Sequence, residues 1–354
     1  LLPLKHKMAD VDYKPQNILI TGGAGFIASH VVLHFVKTYP HYNIVNLDKM
    51  DYCSSIYYFK DVEALPNYKF VKGDILSADL ITYVLKTHKI DTIMHFAAQS
   101  HVDNSFGNSI TFTQNNVLGT HVLLECAKVH GIKRFVHVST DEVYGETAYN
   151  DLTLETAILA PTNPYAASKA AAEHLVESYW KSFKLPLVIT RSNNVYGPHQ
   201  FPEKVIPKFI CRLERGLPCC IHGAGSTRRS FLYIADAVRA YDLVLHKGVL
   251  GHIYNIEAGQ ELTVLEVAKA LLKAYGLENE EAKWLETVAD RAFNDLRYHI
   301  DGNKLKDLGF EAQWTFEAGL AETVKWYKSI NINEVWVEAD HALSPHPKAN
   351  LTKP

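Results

Sequence analysis

Two side chains that could move a proton lie four positions apart in the sequence. Tyr165 and Lys169 occupy positions i and i+4, which share one face of a helix. Pro161 and Pro164, just before them, suit the start of a helix. A nearby ammonium group lowers the pKa of a phenol, so we expect Lys169 to favour a phenolate on Tyr165 that can take a hydroxyl proton. A lone Tyr-x-x-x-Lys pair also occurs by chance on surface helices, so its meaning depends on the residues around it.

A second group of reactive side chains follows the predicted strand 134–139. Thr140, Asp141 and Glu142 come directly after it, and ligands bind at the carboxyl ends of strands in a parallel sheet. Two adjacent carboxyl groups can serve as an acid and a base, which an elimination of water needs and a simple oxidation does not. The alternative is that one carboxyl group caps a helix and the other is solvated.

A glycine-rich turn follows the first predicted strand. Gly22, Gly25 and Ala28 occupy the three positions of the dinucleotide fingerprint. They permit a tight turn, a close approach of the backbone to a pyrophosphate, and close packing of the helix on the sheet. The N-terminus of that helix carries a partial positive charge that favours phosphate. The order of strand, turn and helix therefore predicts a dinucleotide site.

An acidic residue ends the second predicted strand. Asp48 can accept hydrogen bonds from ribose hydroxyl groups and would repel a 2′-phosphate, so the sequence favours NAD over NADP. A turn residue or a helix cap is the alternative role of Asp48, and the run 73–75 is either a surface turn or an adenine contact. The predicted cofactor contacts are Gly22, Gly25, Phe26, Ile27, Asp48, Lys49, Asp74, Ile75, Ala97, Ala98, Ser100, Asn116, Tyr165 and Lys169.

Short apolar strands alternate with amphipathic helices through the first half of the chain, which predicts an α/β fold with a doubly wound, parallel Rossmann sheet. The strands are predicted at 17–21, 43–48, 69–72, 92–97, 134–139 and 187–191, and the helices at 27–38, 79–87 and 117–130. Proline and glycine become frequent after about residue 194, before helices at 262–275 and 316–330. We expect an NAD-binding Rossmann domain over 15–194, a smaller, discontinuous C-terminal substrate-binding lobe over 195–330 with some segments returning to the sheet, and a peripheral tail over 331–354.

The composition is typical of a globular protein and excludes several classes of partner. Hydrophobic residues make up 47% and charged residues 21% of 354, with a formal net charge of −3. No basic surface for nucleic acid and no apolar run for a membrane span are expected. The five cysteines and 18 histidines show no metal-binding spacing, so we expect no disulfide framework, no metal and a reducing cytoplasm.

Taken together, these residues resemble the extended short-chain dehydrogenase/reductase superfamily, and within it the nucleotide-sugar 4,6-dehydratases of dTDP-glucose and UDP-glucose. The glycine fingerprint and the Tyr-x-x-x-Lys pair identify only the superfamily. The discriminating run is 139–145, Ser-Thr-Asp-Glu-Val-Tyr-Gly. Similar epimerases carry neither carboxyl group, whereas decarboxylases and GDP-mannose dehydratases usually keep the glutamate and have serine for the aspartate. The resemblance covers nearly all of 17–327.

The resemblance implies a reaction on tightly held NAD with no net redox change. Tyr165, assisted by Lys169 and Thr140, takes the proton of the 4-hydroxyl group while hydride leaves C4. Glu142 then removes the C5 proton, Asp141 protonates the departing 6-hydroxyl group, and hydride returns to C6. The product is the 4-keto-6-deoxy sugar nucleotide.

The resemblance also implies the residues that bind the nucleotide sugar. They are His101, Asn194, Glu203, Lys204, Arg229, Asn255, Arg291 and Asn294. A guanidinium group pairs bidentately with phosphate, although without the resemblance each arginine is more simply a surface salt bridge. Gln99 and Ala292 depart from the family's usual Glu and Pro. Asn294 stands where bacterial dTDP-glucose enzymes have His, which favours the eukaryotic UDP-glucose type.

Two other functions remain open from the sequence. A 4-epimerase or decarboxylase could share this scaffold, although Asp141 argues against both. A non-catalytic protein that binds NAD or a nucleotide would not need Tyr165, Lys169 and both carboxyl groups together. Helices over 117–130 and 163–183 form a dimer bundle in similar proteins, so we expect a homodimer.

Overall fold

The computed structural model describes residues 13–147, 152–257, 259–289, 295–337 and 339–344. The strands in these ranges are β1 (Asn17–Thr21), β2 (Asn43–Asp48), β3 (Tyr68–Lys72), β4 (Thr92–His95), β5 (Arg134–Thr140), β6 (Leu187–Ser192), β7 (Asn194–Tyr196), β8 (Cys219–His222), β9 (Arg228–Tyr233), β10 (Ile253–Ile256), β11 (Glu261–Thr263) and β12 (Leu285–Val288). The α-helices are α1 (Phe26–Thr38), α2 (Ala78–Thr87), α3 (Val102–Gly107), α4 (Ser109–Phe112), α5 (Gly119–His130), α6 (Pro164–Phe183), α7 (Val205–Glu214), α8 (Ile234–Lys247), α9 (Val264–Ala274), α10 (Glu281–Trp284), α11 (Asn303–Lys306), α12 (Phe316–Lys328) and α13 (Ile332–Val335).

The main sheet has seven strands in the order β10-β6-β5-β4-β1-β2-β3, and all of its pairs are parallel. The predicted doubly wound Rossmann sheet is confirmed. Strand β4 ends at His95 and not at Ala97, because the chain turns toward Thr21. The carbonyl of Thr21 accepts from the amide of Phe96, and its Oγ1 accepts from the amide of Ala97 at 3.3 Å.

The seventh strand of this sheet comes from the C-terminal half of the chain. Strand β10 pairs with β6, and α8 packs against α1. The rest of that half forms two small sheets, β11-β9-β7 and β12-β8, covered by α7, α9 and α12. The lobe is therefore discontinuous, and it shares the main sheet with the region before residue 194.

The described part of the tail is not peripheral, contrary to the prediction for 331–354. Trp336 is 2% exposed, and Ile332 and Val335 are buried in the same apolar cluster. The Trp336 ring meets the edges of Phe201 and Tyr58, with centroids 5.5 and 6.4 Å away. The apolar side chains of this segment bury because the lobe offers them an aromatic surface, which the prolines further along the tail did not indicate.

Helix α6 carries the Tyr-x-x-x-Lys pair and lies against β5. The side chain of Asn163 caps it by accepting from the Ala166 amide at 2.9 Å, and Pro164 occupies the first turn. Tyr165 and Lys169 consequently lie near the start of the helix, at the edge of the sheet where β5 ends. Helix α6 is 20 residues long, yet neither it nor any other helix of the described ranges is apolar enough over a sufficient length to cross a membrane.

Candidate active site

A cavity of about 460 Å³ opens at the carboxyl ends of the central strands. It brings together most of the predicted site residues, from both the Rossmann sheet and the lobe. The predicted residues that line it are Gly22, Gly25, Phe26, Ile27, Asp48, Lys49, Asp74, Ile75, Ala97, Ala98, Ser100, His101, Thr140, Glu142, Tyr165, Lys169, Asn194, Glu203, Lys204 and Arg229.

The predicted cofactor contact Asn116 does not line the cavity, whereas its neighbour Asn115 does. Asn116 is buried, and its amide nitrogen donates to the Gln99 carbonyl and to Ser168 Oγ, both at 2.9 Å. The two asparagines lie in a π-helical turn, 113–118, ahead of α5. The widened turn aims Asn115 at the cavity and Asn116 at the loop after β4. Asn116 therefore holds this loop to α6 from behind the cavity wall.

The predicted substrate contact Asn255 also lies outside the cavity lining. It is fully buried in β10. Its side chain accepts from the Tyr144 hydroxyl at 2.8 Å and donates to the Thr153 carbonyl at 3.2 Å. The side-chain amide of Asn255 therefore makes its hydrogen bonds within the fold, because β10 is a strand of the main sheet. Arg291 and Asn294 lie outside the described residues.

The glycine turn and the start of α1 fit the pyrophosphate of a dinucleotide. Gly22 has φ of +69°, and a Cβ there would lie 2.7 Å from backbone atoms of Ala97. Gly25 is the N-cap of α1, with no side-chain capping hydrogen bond and no acidic residue in the first turn. The amide groups at this helix end therefore face the cavity without a competing carboxylate, as an anion requires.

Asp48 organises the loop that follows β2. Its carboxyl group accepts from the amides of Met50 at 2.7 Å and Ala24 at 3.0 Å, and from Ser54 Oγ at 3.0 Å. A carboxylate has about four acceptor positions, so about one remains for a ribose hydroxyl group. Burial raises the pKa of Asp48, against the effect of these hydrogen bonds. The residue fits the predicted ribose contact and fixes the loop beside it.

The ammonium group of Lys169 is hydrogen-bonded to the main chain beside Tyr165. Its Nζ donates to the carbonyl of Val138 at 2.7 Å, and burial lowers the pKa of Lys169 to about 8. Burial raises the pKa of Tyr165, and the charge of Glu142 raises it further, against a hydrogen bond with Thr140. Burial therefore shifts the pKa of Tyr165 upward, opposite to the shift expected from Lys169 alone.

Asp141 lies just behind the cavity wall. It is 3% exposed, and its carboxyl group accepts from Thr140 Oγ1 at 3.2 Å and from Asn193 Nδ2 at 2.8 Å. Burial and the adjacent charge of Glu142 raise the pKa of Asp141 to about 7. A carboxyl group that keeps its proton near neutral pH can act as an acid.

Glu142 faces the cavity from the next position. Its carboxyl group accepts from Asn163 Nδ2 at 3.2 Å. Burial raises the pKa of Glu142, and the positive charges of Arg229 and Lys204 oppose that rise. The two cations favour the carboxylate form, and burial makes this carboxylate a stronger base than one in water. Neighbouring carboxyl groups thus have environments suited to an acid and a base.

Arg229 is held at the lobe side of the cavity. Its guanidinium group donates to the carbonyls of Arg228 at 2.7 Å and Asp295 at 2.9 Å, and it lies 4.6 Å from the centre of the Tyr298 ring. On the opposite side of the cavity, Lys204 Nζ donates to the carbonyl of Ser100 at 2.9 Å. These two cations are positioned before any ligand arrives, which suits a diphosphate.

A hydrogen bond crosses the cavity mouth between the Rossmann sheet and the lobe. Tyr52, in the loop after β2, donates to Glu203 Oε2 at 2.8 Å. His101 Nδ1 lies 3.8 Å from the same carboxyl oxygen, and burial raises the pKa of Glu203. The predicted substrate residues His101 and Glu203 are therefore neighbours, and Tyr52 ties them to the cofactor loop.

Several residues that shape the site were not predicted from the sequence. The Asn163-Pro164 pair is a recognisable helix start, so the cap that also holds Glu142 could have been found. Asn193 lies in a run that the resemblance covers, but nothing in its spacing indicates a bond to Asp141. The other unpredicted residues that line the cavity include Tyr52, Cys53, Asn115, Lys208, Phe209, Cys220, His222, Val264, Asp295 and Tyr298.

Known proteins are similar to this chain in both sequence and fold. Residues 19–323 match a family described as GDP-mannose 4,6 dehydratase. The chain is 54% identical over 345 residues to the trifunctional UDP-glucose 4,6-dehydratase, 3,5-epimerase and 4-keto-L-rhamnose reductase of Arabidopsis thaliana, covering 96% of this chain but 51% of that protein. It is 49% identical over 335 residues to the dTDP-D-glucose 4,6-dehydratase of Mus musculus, covering 94% of each.

A solved structure agrees with these similarities. The dTDP-glucose 4,6-dehydratase of Streptomyces venezuelae, crystallised with NAD, has a TM-score of 0.86 and 40% identity, covering 92% of this chain and 100% of that one. The present chain spans about half the length of its trifunctional plant relatives. The similarity to single-function relatives extends over the whole site described above. The chain therefore belongs to the family described as GDP-mannose 4,6 dehydratase.

Proposed function

We propose that the protein is an NAD-dependent nucleotide-sugar 4,6-dehydratase. The observation that carries this proposal is the pair Asp141 and Glu142 beside Tyr165 and Lys169 at the end of β5. An oxidation needs only a group such as Tyr165, whereas an elimination needs an acid and a base in addition. A 4-epimerase or decarboxylase would leave at least one of the two carboxyl groups without a role. A non-catalytic nucleotide-binding protein would leave all four residues without a catalytic role.

Residues of the glycine turn and the loops beside it would hold NAD. The first-turn amides of α1 would bind the pyrophosphate, Asp48 the ribose, and Asp74 and Ile75 the adenine side. When bound, NAD would accept the hydride from C4 and, once reduced, return it to C6, and its oxidised form would bring a positively charged ring. Tyr165 and Lys169 then lie at the end of the sheet where the sugar must approach.

The first proton transfer involves Tyr165. As the phenolate, Tyr165 takes the proton of the sugar 4-hydroxyl group and becomes the neutral phenol, with Thr140 as its hydrogen-bond partner. Burial favours the neutral phenol, so the phenolate forms only when positive charge enters the site. Lys169, fixed on the Val138 carbonyl, supplies one such positive charge.

The elimination uses the two carboxyl groups in separate roles. The new 4-ketone acidifies the C5 proton, which Glu142 removes as a carboxylate. Asp141 exchanges its Thr140 hydrogen bond for the 6-hydroxyl group and protonates it as it leaves as water. The division of roles follows from the pKa of Asp141, about 7, and from the positive charges of Arg229 and Lys204, which oppose the effect of burial on Glu142.

We propose UDP-glucose as the preferred sugar nucleotide over dTDP-glucose. Asn294 in place of the bacterial histidine supports this preference. The Arabidopsis thaliana relative, 54% identical, is named for UDP-glucose, whereas the Mus musculus relative, 49% identical, is named for dTDP-glucose. A tenfold preference equals about 1.4 kcal/mol, which one altered base contact can supply. Asn294→His should then shift kcat/KM toward dTDP-glucose.

The proposed enzyme is a cytoplasmic homodimer. Exposed apolar side chains at Ile110 and Leu118, 69% and 50% exposed, lie just before α5 and would be covered by a second copy of the α5–α6 surface. The five cysteines are free, which suits a reducing compartment. Sedimentation equilibrium of the wild type and of Leu118→Glu tests the dimer, since a charge on this surface should produce a monomer.

The function is tested by incubating the purified protein separately with UDP-glucose and dTDP-glucose. Mass analysis should show loss of one water from the sugar nucleotide, with no net consumption of NAD. A product of unchanged mass would indicate an epimerase, and loss of carbon dioxide from the corresponding glucuronate would indicate a decarboxylase. No conversion of any nucleotide sugar by folded, NAD-loaded protein would refute the proposal.

A further inference from the structure

Beneath Lys169, strand β5 carries two buried polar side chains that the mechanism does not use. Among the described residues, both ring nitrogens of His137 and the Oγ of Ser139 have no hydrogen-bond partner. His137 is fully buried and Ser139 is 5% exposed. Positions two apart on a strand face the same side, and Phe135 on that side belongs to the same apolar cluster as Val176 of α6. The unpartnered atoms therefore lie between β5 and α6.

The neighbouring histidine shows what a satisfied buried imidazole looks like in this fold. His95 lies in the adjacent strand, with its ring centre 5.4 Å from that of His137. Its Nδ1 is 2.7 Å from Thr21 Oγ1, and its Nε2 is 2.9 Å from Thr120 Oγ1. Among the described residues, no side chain forms a hydrogen bond with either ring nitrogen of His137. A partner from solvent is the remaining way to satisfy its nitrogens.

Lys169 offers hydrogen-bond donors at the same level of the sheet. Its ammonium group has three N–H donors, and within the described ranges only one is used, on the carbonyl of Val138. This carbonyl is one residue along the chain from His137. Two donors therefore remain, and the charge of Lys169 acts on His137. The charged or titratable groups around this part of the sheet are Lys169 and Glu173 on α6, His95 on β4 and Arg191 on β6.

We propose that His137 and Ser139 hold an internal water that accepts a hydrogen bond from Lys169, and that His137 is thereby a positioning residue for proton transfer at Tyr165. The water donates one hydrogen to a ring nitrogen of neutral His137 and the other to Ser139 Oγ. Burial and the charge of Lys169 lower the pKa of His137, so the imidazole stays neutral and keeps an acceptor. The water fixes a second N–H of Lys169 and supports its charged form.

Three variants separate positioning from simple stability. His137→Phe removes both nitrogens at similar volume, and His137→Gln keeps a polar group that can hold the water. Val136→Ala is the matched control, because Val136 is fully buried on the same strand but faces the other side. The oxidation step is followed alone in an Asp141→Asn background, where elimination stalls, as formation of the 4-keto hexose nucleotide against pH.

In His137→Phe the ammonium form of Lys169 loses an acceptor. The limb on which the oxidation rate falls as pH rises should therefore have a midpoint roughly one pH unit lower than in the wild type. Val136→Ala should lower the melting temperature without moving the pH midpoint. His137→Gln should have a pH midpoint close to that of the wild type. A crystal structure of the wild type should show a water within hydrogen-bond distance of both His137 and Lys169. No water there, or an unchanged midpoint in folded His137→Phe, would overturn the proposal.

The role in proton transfer rests on the proposed function, whereas the water site does not. If the wild type converts no nucleotide sugar, the dehydratase proposal fails and the assigned role of His137 fails with it. The crystal structure then still decides whether His137, Ser139 and Lys169 share a water. If the wild type is a dehydratase and the water is absent, only the present inference fails.

Discussion

The side chain of Asn193 donates a 2.8 Å hydrogen bond to the carboxyl group of Asp141. This contact holds the proposed acid from the residue that follows β6. It favours the carboxylate, whereas burial and the charge of Glu142 favour the protonated acid and raise the pKa of Asp141 to about 7. The pKa of Asp141 therefore reflects a balance to which Asn193 contributes a hydrogen bond from outside the chain segment of Asp141.

Removal of that donor should shift the pH dependence of the reaction upward. With Asp141 as the acid, the wild-type rate of water loss should fall as pH rises through about 7. Asn193→Ala should raise the pKa of Asp141 further and move this fall to higher pH by roughly one unit. Initial rates of product formation against pH measure the effect, and Asn333→Ala, an exposed asparagine, is the control. An unmoved limb in the folded Asn193 variant would exclude Asp141 as its source.

Substitutions in the two halves of the site should stop the reaction at different stages. Tyr165→Phe should block oxidation, leaving the substrate unchanged. Glu142→Gln should allow oxidation but not C5 proton removal, so the 4-keto hexose nucleotide should accumulate, with product formation reduced roughly 10²–10⁴-fold. Asp141→Asn should accumulate the same species because hydroxide leaves poorly without an acid. Rapid quenching and mass analysis distinguish loss of two hydrogens from loss of water.

These stages are interpretable only if the variants still bind NAD. The control is Glu146→Gln, which changes an exposed carboxyl group four residues after Glu142 and should retain full activity. Near-normal formation of the 4-keto-6-deoxy product by Glu142→Gln would show that this carboxyl group is not the base.

The cofactor preference should depend on Asp48. The wild type should bind NAD more tightly than NADP, because the carboxylate accepts from the ribose and repels a 2′-phosphate. Asp48→Asn should weaken NAD binding by roughly tenfold, or about 1.4 kcal/mol, and reduce the preference for NAD over NADP. Titration calorimetry with both cofactors measures this, with Asp61→Asn on an exposed loop as control. Equal affinity of the wild type for the two cofactors would contradict the ribose assignment.

A polar cluster that joins α1 to α8 should make stability depend on pH. Asp242 lies 2.7 Å from both His34 Nε2 and His246 Nδ1, and Tyr39 donates to it at 2.9 Å. Burial raises the pKa of Asp242, but hydrogen bonds from His246, His34 and Tyr39 outweigh it and hold that pKa well below its usual value. Burial lowers the pKa of His246, but its bonds to Asp242 outweigh this and raise it.

The signs of these shifts define the pH window. The contribution of Asp242 is present above its unfolded pKa of about 4, and it is lost as pH falls through the lower folded value. The contribution of His246 is complete below its unfolded pKa of about 6.5, and it is lost as pH rises through the higher folded value. Asp242→Asn should therefore destabilise most between these values, by roughly 1–3 kcal/mol. Urea unfolding at several pH values measures it, with exposed Asp307→Asn as control; a pH-independent loss would contradict the coupling.

Sequence patterns predicted the main sheet closely, because parallel strands buried on both faces leave continuous apolar runs. Strands β1 and β2 have the predicted bounds. The end of β4 differed by two residues, and beyond it the amide of Ala97 donates to the side chain of Thr21. No periodicity indicated that Trp336 is buried, because its partners lie far away in the sequence.

The site was predictable where residue type alone defines the chemistry. The glycine turn, Asp48 and the Tyr-x-x-x-Lys pair all reach one cavity. The effect of Lys169 on Tyr165 was not predictable, because it depends on desolvation and on the Val138 carbonyl that binds the ammonium group. The position of Asn255 was equally hidden, since it requires knowing that β10 joins the main sheet.

The entry of β10 into the main sheet constrains how the chain can be synthesised. During translation, β6 emerges more than 60 residues before β10, and in that interval it is an unpaired edge made of the residues Leu-Val-Ile-Thr-Arg-Ser. An apolar edge strand of this kind is a template for pairing with another chain. A nascent chain must therefore shield β6 until residue 256 has left the ribosome, and a fragment that stops at the apparent boundary near residue 194 should aggregate.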